Sequence, residues 1–87
     1  MLREFWATHA DAEIPLSTWF AVARKAKWRN LVGVQLTYAS AEAVGDYTVI
    51  NIKGNTYRLI VKIEYRLQIM FIKCALTHAE YDKDKWK

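Results

Sequence analysis

The sequence predicts an α+β domain: two N-terminal helices packed on one face of a twisted antiparallel sheet of three strands, or four if a further strand lies upstream. Three observations lead there. Apolar residues recur at helical spacing from the first residues to about Lys27 or Trp28. Three β-branched, apolar runs follow at 47–52, 57–65 and 68–76, separated by Lys53-Gly54-Asn55-Thr56 and by Arg66-Leu67, the pattern of an antiparallel meander. Finally, 87 residues with 53% hydrophobic and 14% aromatic content describe a folded chain with one core, so a single domain is expected over 1–87.

Leu2, Phe5, Trp6, His9 and Ala10 fall at i, i+3, i+4, i+7 and i+8, one face of a helix. His9 lies at the edge of that face and reads as a packed or capping histidine, since nothing near it offers a metal a second ligand. Asp11-Ala-Glu-Ile-Pro15 ends this helix, and Pro15 suits the first turn of the next, where its missing N–H has no partner to lose. Leu16, Trp19, Phe20, Ala23 and Ala26 carry the second helix, with Arg24 and Lys25 directed outward. From Arg29 to Asp46 the period is lost, and the segment reads as a surface connection with a short helical turn near 32–36.

In the sheet, Tyr57, Leu59, Val61, Ile63 and Tyr65 alternate with Arg58, Ile60, Lys62 and Glu64, giving an apolar and a charged face. Gly54 and Asn55 tolerate a left-handed backbone, so the first connection is expected to be a tight hairpin. The same period of two places Asn51 and Lys53 on one side of the first run. The last run ends at Thr77, and His78, Tyr81 and Lys83 are read as a polar tail at the end of the sheet.

The formal charge is +4, and Arg24, Lys25, Lys27 and Arg29 stand together without an acid. A basic helix end and a basic sheet face suit a phosphate backbone, although a solvated helix face is often charged without any such partner. Cys74 is the only cysteine, which excludes an internal disulfide, and its apolar strand predicts a buried, inert thiol. The lone thiol, with no apolar segment after a basic start and no run long enough to span a bilayer, predicts a cytoplasmic protein without a membrane partner.

Asn51-Ile-Lys-Gly-Asn-Thr-Tyr-Arg-Leu-Ile-Val61, followed by Thr77-His-Ala-Glu-Tyr-Asp-Lys83, closely resembles the HigB toxins of bacterial toxin–antitoxin pairs, which are similar in fold to the RelE endoribonucleases. The resemblance spans about Leu2 to Trp86 and rests on the two motifs at this separation. It implies a RelE-like fold and a metal-independent endoribonuclease that cleaves mRNA on translating ribosomes. It also implies a HigA-like antitoxin, a helix-turn-helix DNA-binding protein that neutralises the toxin. Members usually begin with a short strand before the first helix, whereas this chain opens in the helix.

RNA cleavage without a metal uses the 2′-OH as nucleophile, so a base, donors for the charge on phosphorus and an acid for the leaving 5′-oxygen are required. Arg58 offers a fork matched to two phosphate oxygens, His78 a group that titrates near neutrality, and Tyr81 a hydroxyl and a stacking ring. The resemblance favours these three as catalytic residues and leaves the acid and base roles of His78 and Tyr81 undivided. Lys53, Asn51, Asn55, Lys62 and Lys83 are the accompanying RNA-binding candidates. Each has a plainer reading. Arg58 reads as a solvent-facing charge paired across the strands, His78 as a turn held by a backbone hydrogen bond, and Tyr81 as packing against the first helix. Asn51 and Asn55 read as turn formers.

Other chemistries fit less well. His78-x-Glu80 lacks the Pro-Cys-x-x-Cys half of a zinc deaminase, Gly54 stands alone rather than in a phosphate loop, and no Gly-x-Ser-x-Gly occurs. Neither a metal nor a cofactor is expected. Two alternatives to the nuclease remain: a basic module that binds RNA or ribosomes without cleaving, and an interaction module whose charge serves solubility.

Overall fold

The computed structural model describes residues 2–54 and 56–83. Helix α1 (Leu2–Thr8), a 3₁₀ turn (Ala10–Ala12), α2 (Glu13–Lys25) and α3 (Leu31–Thr37) precede four strands, β1 (Glu42–Val44), β2 (Tyr47–Ile52), β3 (Tyr57–Glu64) and β4 (Ile69–Thr77); α4 (His78–Asp82) follows. The strands form one antiparallel sheet in the order β1-β2-β3-β4. The predicted α+β, RelE-like architecture is therefore present, with helices ahead of a four-stranded sheet.

The additional strand does not precede the first helix. It is β1, drawn from the segment expected to be a connection, and it pairs Glu42 with Val49 and Val44 with Tyr47. The expected turn near 32–36 is α3, started by the Asn30 side chain, which accepts from the Gly33 N–H at 3.0 Å. The second helix ends at Lys25 rather than at Lys27 or Trp28, because Ala26 is already extended at φ −72°, ψ 141°.

Alternation divides the sheet as expected. Ile50 and Ile52 of β2 and Leu59 and Val61 of β3 are buried against Leu16 and Trp19 of α2. The opposite face holds Val49 and Ile60, with Tyr47, Cys74, Leu76 and Tyr81 packed around them. Ile60 is fully buried, so this second face is not merely a charged surface. Burial pushes the Cys74 thiol up, in keeping with an unreactive packing cysteine that is half-buried.

One irregularity sets which side chains reach each face. Ile60 pairs with Cys74 but Val61 pairs with Ile72, so Lys73 is an extra residue in β4. Such a bulge shifts the alternation by one. Met70 and Ile72 thereby join the helix-covered core, while Cys74 and Leu76 point to the other side. The extra Lys73 places its ammonium 4.9 Å from the centre of the Tyr47 ring.

Candidate functional site

The first connection is a tight turn, with the Thr56 N–H donating to the Lys53 carbonyl at 3.1 Å. Gly54 takes the left-handed conformation at φ 64°, and so does Lys53 at φ 53°. Lys53 therefore leaves the strand's alternation and does not share a side with Asn51. Its ammonium lies 2.6 Å from Asp11 on the helix-covered side, where the Tyr57 hydroxyl donates to the same carboxylate. These two donors hold the Asp11 carboxyl below the usual range, and the bond to Asp11 raises Tyr57.

At the far end of β4 the chain turns directly into α4, which corrects the expectation of a polar tail. Thr77 and Glu80 form a capping box: the Glu80 N–H donates to Thr77 Oγ1 at 3.2 Å, and the Thr77 N–H donates to Glu80 Oε1 at 2.9 Å. The backbone bond from Thr77 is the main reason the Glu80 carboxyl is lowered. The His78 N–H donates to the Thr56 carbonyl at 3.2 Å, tying the start of α4 to the β2–β3 turn. The short helix then lays Tyr81 over Val49 and Ile60.

This fold brings Arg58, His78 and Tyr81 together. Arg58 Nη2 lies 3.1 Å from His78 Nδ1, and Arg58 Cζ lies 5.4 Å from the centre of the Tyr81 ring. Arg58 is only 9% exposed, contrary to the reading of a solvent-facing charge, whereas the His78 side chain is 54% exposed. Tyr81 donates its hydroxyl to Glu42 Oε1 at 3.2 Å, so it packs across the sheet toward β1 rather than against the first helix.

A guanidinium can only donate, so Nδ1 of His78 accepts. His78 Nε2 lies 3.1 Å from Asp82 Oδ2 one helical turn later, which places the imidazole proton on Nε2 in this arrangement. Asp82 was missed in the sequence reading. Thr77-x-x-Glu80 was the signal that could have found it, because a capping box starts a helix and a helix brings residue 82 under residue 78.

The other candidates are less closely gathered. Asn51 is the direct cross-strand partner of Arg58 and is half-buried on the same face. Lys62 shares that face further along β3, with Nζ 3.8 Å from Glu64. Lys83 is exposed at the C-terminal cap of α4. Asn55 lies outside the described residues. Among the described residues, no group of three or more His, Cys, Asp and Glu side chains is placed to hold a metal ion.

Helices followed by a four-stranded antiparallel sheet are consistent with the RelE-like fold. The model of the HigB toxin family, described as the RelE-like toxic component of a toxin–antitoxin system, matches residues 12–84. The chain belongs to this family, and it is the toxin of a toxin–antitoxin pair. No curated protein matches the chain. An antitoxin is its implied partner, and no helix among the described residues is long and apolar enough to cross a membrane.

Proposed function

We propose that the toxin is a metal-independent endoribonuclease that cleaves mRNA on translating ribosomes, and that Arg58, His78 and Tyr81 form its catalytic centre. The carrying observation is the 3.1 Å approach of the Arg58 fork to His78 Nδ1 on a sheet face where the imidazole is half-exposed. Two features support a chemical role. The Asp82 carboxylate fixes the tautomer of His78, and the Tyr81 ring lies against the guanidinium.

In this reading an incoming phosphodiester takes the N–H groups of Arg58, which releases Nδ1 of His78. The freed nitrogen accepts the proton of the 2′-OH as that oxygen attacks phosphorus. The bond from phosphorus to the 5′-oxygen then breaks, and the leaving oxygen takes a proton from the imidazolium or from Tyr81. The products are a 2′,3′-cyclic phosphate and a free 5′-hydroxyl. Arg58 holds the negative charge that accumulates on the non-bridging oxygens. Asn51, Lys62 and Lys83 supply further contacts to the RNA.

The ribosome, the cytoplasmic setting and a HigA-like helix-turn-helix antitoxin follow from the family resemblance. Purified toxin is tested with translating ribosomes and mRNA, beside Arg58→Ala and His78→Ala. Cleavage by the wild type and its loss in both folded variants is the expected result. Intact transcripts in all three, with RNA still bound and binding weakened by salt, would replace the nuclease by a non-catalytic RNA-binding module. Absence of RNA binding would leave only an interaction module.

A further inference from the structure

The basic cluster of α2 lies on the far side of the sheet from Arg58, because α2 buries Leu16 and Trp19 against Ile50, Leu59 and Val61. It therefore does not continue the surface of the catalytic centre. It borders an apolar groove of about 580 Å³ between α2 and the start of β4, lined by Trp19, Phe20 and Ala23 on one side and by Ile69 and Met70 on the other. Phe20 and Ile69 remain 47% and 44% exposed there. Arg24 and Lys27 also line it, and Arg24 stacks on Phe20 with Cζ 5.7 Å from the ring centre. No acidic residue occurs between 20 and 29.

We infer that this groove is the docking site of the antitoxin, and that its occupant is an amphipathic segment whose apolar side chains are flanked by Asp or Glu. The argument is one of fit. The volume suits a few buried side chains, the floor is apolar, and the charged residues of the lining, Arg24 and Lys27, are both cations. The inference rests on family membership and the partner it implies, not on RNA cleavage. Docking on this side leaves Arg58 and His78 uncovered.

The probe is the antitoxin encoded beside this toxin, purified, together with overlapping synthetic peptides that cover its sequence. Binding to the full-length toxin is followed by titration calorimetry and by tryptophan emission, since Trp19 and Trp28 both line the groove. One acid-rich amphipathic peptide is expected to shift the emission and to bind less tightly as salt rises. The exposed pair Arg24→Glu/Lys27→Glu is expected to weaken antitoxin binding by about tenfold or more, and the groove-filling Ala23→Trp by a similar factor. His78→Ala is expected to bind as the wild type does, so a toxin that cleaves nothing still tests the groove.

Antitoxin binding that is unchanged by the charge reversal would overturn the inference. So would a charge reversal that weakens only RNA binding, which would assign the rim to nucleic acid. A toxin dimer that both variants dissociate, with antitoxin binding intact, would assign the groove to a second copy of the chain.

Discussion

β3 faces two environments at once. On one side Leu59 and Val61 are fully buried beneath α2, in the core with Leu16 and Trp19. On the other side, one residue away from Leu59, Arg58 is 9% exposed beneath Tyr81 and against His78. The helix-covered side gains its stability by removing apolar area from water. The α4 side keeps a charged group nearly buried, which is costly unless the group is well bonded. Under the proposed function, one face of the strand carries stability and the other carries chemistry. Substitutions on the two sides should therefore fail in different assays.

The largest separation is expected from His78→Ala. Loss of the proton-transfer group should lower mRNA cleavage by about 10²–10⁴-fold. Thermal melting should change little, because the side chain is half-exposed. Leu59→Ala should do the reverse. It should destabilise the fold by about 2–5 kcal/mol in urea unfolding, while cleavage per folded molecule stays at the wild-type level. If Leu59→Ala lowered cleavage more than His78→Ala, the division of labour across β3 would be wrong.

Asp82→Asn should act on the same face with a smaller effect. The amide retains a contact to Nε2 but not the carboxylate's hold on the Nε2 proton, so a loss of about tenfold in single-turnover cleavage is expected, with melting unchanged. Unchanged cleavage would leave Asp82 as a helix-surface residue only.

The smallest effect concerns the pair that joins the first helices to the β2–β3 turn. Asp11 is lowered by Lys53 and Tyr57, so its contribution to stability is present above the unfolded carboxylate value of about 3.9 and is lost as pH falls through its lowered folded value. Tyr57 is raised by Asp11, so its contribution is complete below an unfolded value of about 10 and is lost as pH rises through the folded one. Urea midpoints measured between neutral pH and about pH 2 should fall more steeply for the wild type than for Lys53→Ala. Parallel curves would show that the exposed ion pair contributes nothing.

The same contrast explains what the sequence could and could not reveal. The alternation of β3 was legible because apolar and charged residues trade places at every step from Val61 to Glu64. The bulge at Lys73 was not, since β4 is apolar on both faces around it and no turn residue marks the shift. β1 is three residues long, too short to show a period, and it exists because β2 offers it a partner. Lys53 looked like a neighbour of Asn51 until its positive φ and its bond to Asp11, 42 positions away, carried it to the other side. α4 was signalled by Thr77-x-x-Glu80, but five helical residues are too few for a periodic pattern. The meeting of Arg58 with His78 followed from two motifs, whereas Asp82 required the helix to be seen first.

The most direct measurement is single-turnover cleavage of mRNA on translating ribosomes by the wild type and by Arg58→Lys, with melting curves of both. Lysine keeps the charge and most of the buried stem but lacks the planar fork. The expected result is cleavage by the wild type that leaves 5′-hydroxyl ends, a loss of about 10²-fold or more in the lysine variant, and closely similar melting. Equal cleavage by the two proteins would contradict a phosphate grip at residue 58, and transcripts left whole by the wild type would contradict the nuclease itself.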